Sequence, residues 1–217
     1  MAEVVFWATL ALVIYTYAGY SLIIMALARI SRDNVARQDI EPRVTFLITA
    51  YNEEKDIAQK LQNTLQLDYP RDKLEILVAS DGSTDRTDAI VREFAAQGVK
   101  LVRVEGRVGK TSTQNQAVNQ ATGDIIVFSD ATTKYEHMNL RRIVRNYADP
   151  AVGAVSGRYE YFNPTGASIG VGNILFWKYE NFIKRSQTRI KTITGCCGCI
   201  YSVRRALYEP LPADIIS

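Results

Sequence analysis

Three short polar clusters carry the residues that could do chemistry: Tyr51-Asn52-Glu53, Asp81-Gly82-Ser83 and Asp130. Each directly follows an apolar run rich in β-branched residues, the composition of a buried strand. In an open α/β sheet, ligands sit at the carboxyl ends of parallel strands, so the three clusters converge on one crevice. An aromatic ring, several carboxylates and the nearby Lys110 are what a nucleotide carrying a metal-bound diphosphate requires. Tyr51 can stack on a base, a carboxylate can accept hydrogen bonds from base or ribose, and a cation can neutralise phosphate charge.

The strands that position these clusters read as Arg43–Thr49, Leu74–Ala79, Lys100–Val104 and the run after Asp124 that ends at Asp130. Helical spacing separates them. Ile57, Leu61 and Leu65 share one face, with Glu53, Glu54 and Asp56 expected in that helix's first turn, where they favour its dipole. Ile90, Val91 and Phe94 mark the next helix, and Ala117, Val118 and Ala121 a polar third one. Strict alternation of strand and helix predicts a parallel-centred α/β sheet. Beyond Asp130, Leu140, Ile143, Val144 and Tyr147 predict a helix, Val152–Phe162 a half-exposed strand, and Ile174–Ile183 an aromatic-rich helix flanked by Lys184, Arg185, Arg189 and Lys191.

The 217 residues carry a net charge of +3, too mild to imply a nucleic-acid partner. Val4 to Ala28 contains no charged residue. Twenty or so such positions cross a bilayer as a helix. Arg29, Arg32, Arg37 and Arg43 follow it, so the positive-inside rule predicts a cytoplasmic domain on a cell-membrane anchor. A cleaved signal peptide would need a basic start and a shorter apolar core, although Ala26-Leu27-Ala28 resembles a cleavage site. The expected organisation is an anchor over 1–30, a linker over 31–42 and an α/β domain over 43–217. Cys196, Cys197 and Cys199 crowd one loop, a spacing that suits neither a zinc site nor a disulfide framework.

Taken together, the motifs resemble the family-two, inverting glycosyltransferases of the GT-A fold. The resemblance rests on Ala50-Tyr51-Asn52-Glu53-Glu54, Ser80 to Asp85, Gly109-Lys110 with Asn115, Gly123-Asp124 with Asp130, and Thr194-Gly195 through Arg205. It implies a sugar transferred with inversion from a UDP-sugar to a hydroxyl of a polysaccharide or lipid-linked acceptor. The donor nucleotide would be held by Ala50, Tyr51, Glu53, Asp81 and Lys110. Mg2+ or Mn2+ would sit on Asp130, and Thr194, Gly195 and Gly198 would form an acceptor-side loop. Thr132 replaces the second acid of the usual Asp-x-Asp, leaving Asp130 as the motif's one carboxylate. The acid that deprotonates the acceptor is expected beyond Ser217, with Asp214 the nearest candidate inside the sequence, which makes the chain read as truncated at its carboxyl end.

Three other readings compete. Gly106-Arg107-Val108-Gly109-Lys110-Thr111 invites a P-loop NTPase, but the phosphate cradle needs a glycine where Val104 stands. A nucleotidyltransferase would carry a basic, Gly-rich loop after the first strand, where Tyr51-Asn52-Glu53-Glu54 is acidic. A truncated, inactive nucleotide-sugar binding module would bind donor without transfer. His137, close after Asp130, is expected at the surface and not on a metal.

Overall fold

The computed structural model describes residues 1–31, 35–158 and 171–212. The chain forms two compact units, Met1–Val35 with Arg158–Gly195, and Ala36–Gly157 with Cys196–Ser217.

In the first unit, α1 (Ala2–Ile14) passes through a π-helical turn over Tyr15–Gly19 into α2 (Tyr20–Ile30). The resulting Ala2–Ile30 helix of 29 residues is long and apolar enough to cross a membrane. At 1.5 Å per residue it extends about 43 Å, more than a hydrocarbon core requires. α1 buries no residue, so its apolar side chains face outward all round. α2 differs, because Ser21, Ile24 and Ala28 recur at helical spacing as a buried stripe. Its partner is α7 (Val171–Arg189). The Tyr179 hydroxyl donates to the Tyr17 carbonyl at 2.6 Å, the Gln187 amide donates to the Tyr20 hydroxyl at 2.7 Å, and the Ser31 hydroxyl donates to the Arg189 carbonyl at 2.7 Å.

The second unit is built on a six-stranded sheet of order β3-β2-β1-β4-β6-β5. β1 (Val44–Ala50) lies between β2 (Leu74–Asp81) and β4 (Ile125–Asp130), parallel to both, and β3 (Val99–Val104) extends the parallel set from β2. β6 (Ile200–Arg204) runs antiparallel to β4, and β5 (Ala154–Ser156) antiparallel to β6. The central strands are apolar throughout because both sheet faces are covered. On one face Phe46, Ile48, Val78 and Val127 pack with Ile57 and Leu61 of α3 (Ile57–Leu65), Val91 of α4 (Thr87–Glu93), and Leu140 and Val144 of α6 (Asn139–Val144). On the other, Leu47, Leu77, Ile126 and Phe128 meet Ala117 and Val118 of α5 (Lys110–Val118). Each fully buried side chain of this size contributes about 1.5–3 kcal/mol, so the β1, β2 and β4 interior dominates the unit's stability.

Two elements differ from the sequence reading. α3 starts at Ile57, so Glu53, Glu54 and Asp56 precede it instead of occupying its first turn. The reason lies in the path of the chain before it. The N–H groups of Asn52, Glu53 and Glu54 donate to Ser83 Oγ, Thr87 Oγ1 and Asp85 Oδ2, while Asn52 takes a left-handed φ of 54°. The strand expected over Val152–Phe162 is confined to Ala154–Ser156, bracketed by Gly153 and Gly157. Residues 159–162 of that expectation lie outside the described residues.

Gly123 lies against β1: its N–H donates to Thr45 Oγ1 at 2.9 Å, and a Cβ there would collide with the backbone of Val44 and Thr45. Gly123→Ala is therefore expected to destabilise the sheet unit by about 1–3 kcal/mol, as overpacking does. Thermal unfolding of the detergent-solubilised chain checks this, and an unchanged midpoint contradicts it.

Candidate active site

Strand register gathers the site. Thr49 of β1 pairs with Asp130 of β4, and Ala50 pairs with Ser80 of β2, so Tyr51, Asp81 and Asp130 emerge along one sheet edge. There a cavity of about 330 Å³ is lined by Ala50, Tyr51, Glu53, Asp81, Lys110 and Asp130, six residues expected from the sequence, together with Arg107. A second hollow of about 300 Å³ lies at the opposite strand ends, beside Glu75. The Glu75 carboxylate is already engaged by Lys100, Thr45 and the Thr122 N–H, so that hollow offers it no open role.

Asp81 is buried at the end of β2. Its Oδ1 accepts the Val108 N–H at 2.8 Å and its Oδ2 the Gly109 N–H at 3.0 Å. The carboxylate thus fixes the loop that delivers Lys110, while each oxygen keeps a further lone pair. The loop crosses directly over Gly82, whose φ of 64° and missing Cβ are both needed, since a Cβ would strike the Gly106 carbonyl. The same bonds exclude a P-loop cradle, because the amides a phosphate would use are given to Asp81.

Lys110, at the first position of α5, reaches across the cavity to Asp130, Nζ to Oδ1 2.9 Å. With the two side chains 29% and 33% exposed, the pair adds little stability; it marks where opposite charges meet at the opening. Glu53 faces the same space. Burial first, then the charges of Asp56, Asp130 and Asp85, push its carboxyl above the ordinary 4.5. Arg107 was not singled out from the sequence. Its guanidinium lies 4.4 Å from the centre of the Tyr51 ring, a stacking that only tertiary structure creates.

Among the described residues no group of three or more His, Cys, Asp or Glu side chains gathers around one point. A structural zinc site is therefore absent there. Asp130, a half-exposed carboxylate at a strand end, fits instead a hard divalent ion that draws its other ligands from water and phosphate. His137 is exposed and bonds through Nδ1 to the Gln66 carbonyl, a surface role. Gly198 belongs to the sheet unit, in the turn before β6. Thr194 and Gly195 belong to the first unit, where the Gln187 amide donates to the Thr194 hydroxyl at 3.0 Å. The three cysteines form no disulfide. Asp214 lies outside the described residues.

A family model described as glycosyl transferase family 2 matches residues 45–211. The chain belongs to that family. The probable glycosyltransferase YdaM of Bacillus subtilis is 33% identical over 180 residues, 78% of this chain and 42% of that protein. The poly-β-1,6-N-acetyl-D-glucosamine synthase of Staphylococcus aureus is 31% identical over 157 residues, 70% of this chain and 38% of that protein. This family 2 chain thus spans well under half the length of these relatives. Among solved structures, the mannosyltransferase PcManGT from Pyrobaculum calidifontis in complex with GDP-Man and Mn2+ superposes with a TM-score of 0.76 at 30% identity, covering 93% of this chain and 57% of that one. Staphylococcus aureus TarS in complex with UDP-GlcNAc, at 24% identity, TM-score 0.52, and coverage of 58% of this chain and 36% of that one, shares the fold alone. The fold of the family 2 chain is GT-A, a six-stranded, mostly parallel α/β sheet, with one apolar helix at the amino end.

The raised Glu53 carboxyl has a consequence for stability. Between its unfolded and folded values the folded state binds more protons than the unfolded one, so stability falls as pH rises through a window that opens near 4.5. Glu53→Gln is expected to remove that decline and raise the thermal midpoint at neutral pH. An identical pH profile in the variant contradicts the placement of Glu53.

Proposed function

We propose that this chain carries the donor site of an inverting transferase that moves a hexosyl or N-acetylhexosaminyl group from a UDP-sugar to a hydroxyl of a polysaccharide or lipid-linked acceptor. The observation that carries this reading is the meeting of Tyr51, Asp81, Lys110 and Asp130 in one cavity at the carboxyl ends of parallel strands. Support comes from relatives named for glycan synthesis and from a related structure holding a nucleotide-sugar with Mn2+.

In this reading Tyr51 covers the face of the base, with Arg107 beside it, and Ala50 and Glu53 line the base and ribose end. Asp81 accepts from the base while its remaining electron pairs hold the Lys110 loop. Lys110 leaves Asp130 to meet the diphosphate, so its charge follows the leaving group. Bound at Asp130, Mg2+ or Mn2+ supplies Lewis-acid neutralisation of the diphosphate. The acceptor oxygen attacks the anomeric carbon as the bond from that carbon to the diphosphate oxygen breaks. The acceptor's proton passes to a carboxylate, and configuration inverts because attack and departure occur on opposite faces. The Ala2–Ile30 helix anchors the domain at the membrane, and the arginines after it keep the domain on the cytoplasmic face.

Calorimetry on the full chain tests the donor reading. UDP is expected to bind more tightly than GDP, and Asp81→Ala to lose about 1–3 kcal/mol of UDP affinity with the backbone fold intact by circular dichroism. GDP binding as tight as UDP, or unchanged UDP binding in Asp81→Ala, contradicts it.

A further inference from the structure

Lys60 of α3 places its amine at 2% exposure inside the sheet unit. Its Nζ donates to the Thr133 carbonyl at 2.7 Å and lies 3.9 Å from the centre of the Tyr135 ring and 5.5 Å from that of Phe46. Among the described residues no carboxylate forms an ion pair with it. Burial pulls its pKa from 10.5 to about 7, against the opposing pull of the Asp130 charge. A lysine buried without a counter-ion is costly whenever it is charged, and a methionine would fill the same space with no charge to desolvate. Packing alone gives no reason for a lysine here.

What the lysine holds supplies one. Asn63, one turn further along α3, grips the same segment at two points: its Nδ2 donates to the Tyr135 carbonyl at 2.9 Å and its Oδ1 accepts the Tyr135 N–H at 2.8 Å. The Tyr135 hydroxyl shares a 2.6 Å hydrogen bond with Ser129 Oγ, and the Ser129 hydroxyl donates to the carbonyl of Asp130 itself at 3.0 Å. Asp130 is thus held from before by β4 and from after by a turn clamped to α3.

We propose that Lys60 and Asn63 are positioning residues for Asp130, gripping the Thr133–Tyr135 segment so that the Asp130 carboxylate presents its oxygens to the donor-bound divalent cation in one fixed orientation. This rests on the reading of Asp130 as the metal ligand. The chemistry explains why a clamp is needed: with one carboxylate ligand from its motif, affinity depends on how that carboxylate is aimed. The lysine amine reaches both the Thr133 carbonyl and the face of the Tyr135 ring, two contacts that a methionine in the same space cannot make.

The test uses the full chain in detergent and electron paramagnetic resonance of Mn2+, which counts the free ion in the presence of UDP, alongside calorimetry with uridine. Lys60→Met and Asn63→Ala are each expected to weaken Mn2+ retention about tenfold, the usual effect of removing a partner that orients a ligand, with uridine affinity unchanged. The Lys60→Met thermal midpoint is expected at or above that of the parent. Asp130→Asn is expected to lose Mn2+ retention altogether. Parental Mn2+ affinity in both Lys60→Met and Asn63→Ala, with Asp130→Asn deficient, overturns the inference and leaves Asp130 as the ligand. Parental affinity in Asp130→Asn overturns the metal reading and the inference with it. A fall in Lys60→Met stability with parallel loss of uridine affinity marks a purely structural lysine and also overturns it.

Discussion

The parallel pairing of β1 between β2 and β4 is the constraint on which the site depends. All three strands are buried on both faces, so their register is fixed by two packed layers at once. A slip of one residue would exchange the faces of every side chain in the strand, turning Phe46 and Ile48 toward the α5 side and Leu47 toward α3. Because the pairing is parallel, all three strands release their polar ends at the same edge. The cavity is a product of that register.

Within the edge, the carboxylates have different work because their surroundings differ. Asp81 is buried and spends one electron pair of each oxygen on the backbone of the 106–110 loop. Asp130 is half exposed and pairs with the Lys110 amino group across the cavity. Glu53 lines the same cavity in a partly desolvated space. The loop after β1 is in turn suspended from the loop after β2 by three backbone donors. The first and second clusters are therefore tied to each other, and Asp130 is steadied separately through Ser129 and Tyr135.

Much of this was legible in the sequence, because a β-branched apolar run followed by a polar cluster states both a strand and what it delivers. The positions of Tyr51, Asp81, Lys110 and Asp130 at one edge follow from that pattern and parallel crossovers alone. What could not be read depends on contacts distant in sequence. The start of α3 at Ile57 follows a left-handed Asn52 and a loop tied to Ser83, Asp85 and Thr87, all distant in sequence. Arg107 is an ordinary loop arginine until its loop folds over Gly82 onto Tyr51. Lys60 sits beside Ile57, Leu61 and Thr64 on the inward face, where its charge suggests an outward one. The antiparallel β5 and β6 pair across about forty intervening residues, and β5 is too short for its alternation to carry information.

The central claim is that Asp130 anchors a divalent ion on the diphosphate of a nucleotide bound over Tyr51. An anomalous-difference map of crystals of the chain grown with UDP and Mn2+ tests it most directly. The account predicts a manganese peak bridging the Asp130 carboxylate and the diphosphate, with Lys110 turned from Asp130 toward phosphate oxygen. A manganese peak held by other side chains, with the Lys110–Asp130 pair intact beside bound UDP, would contradict it.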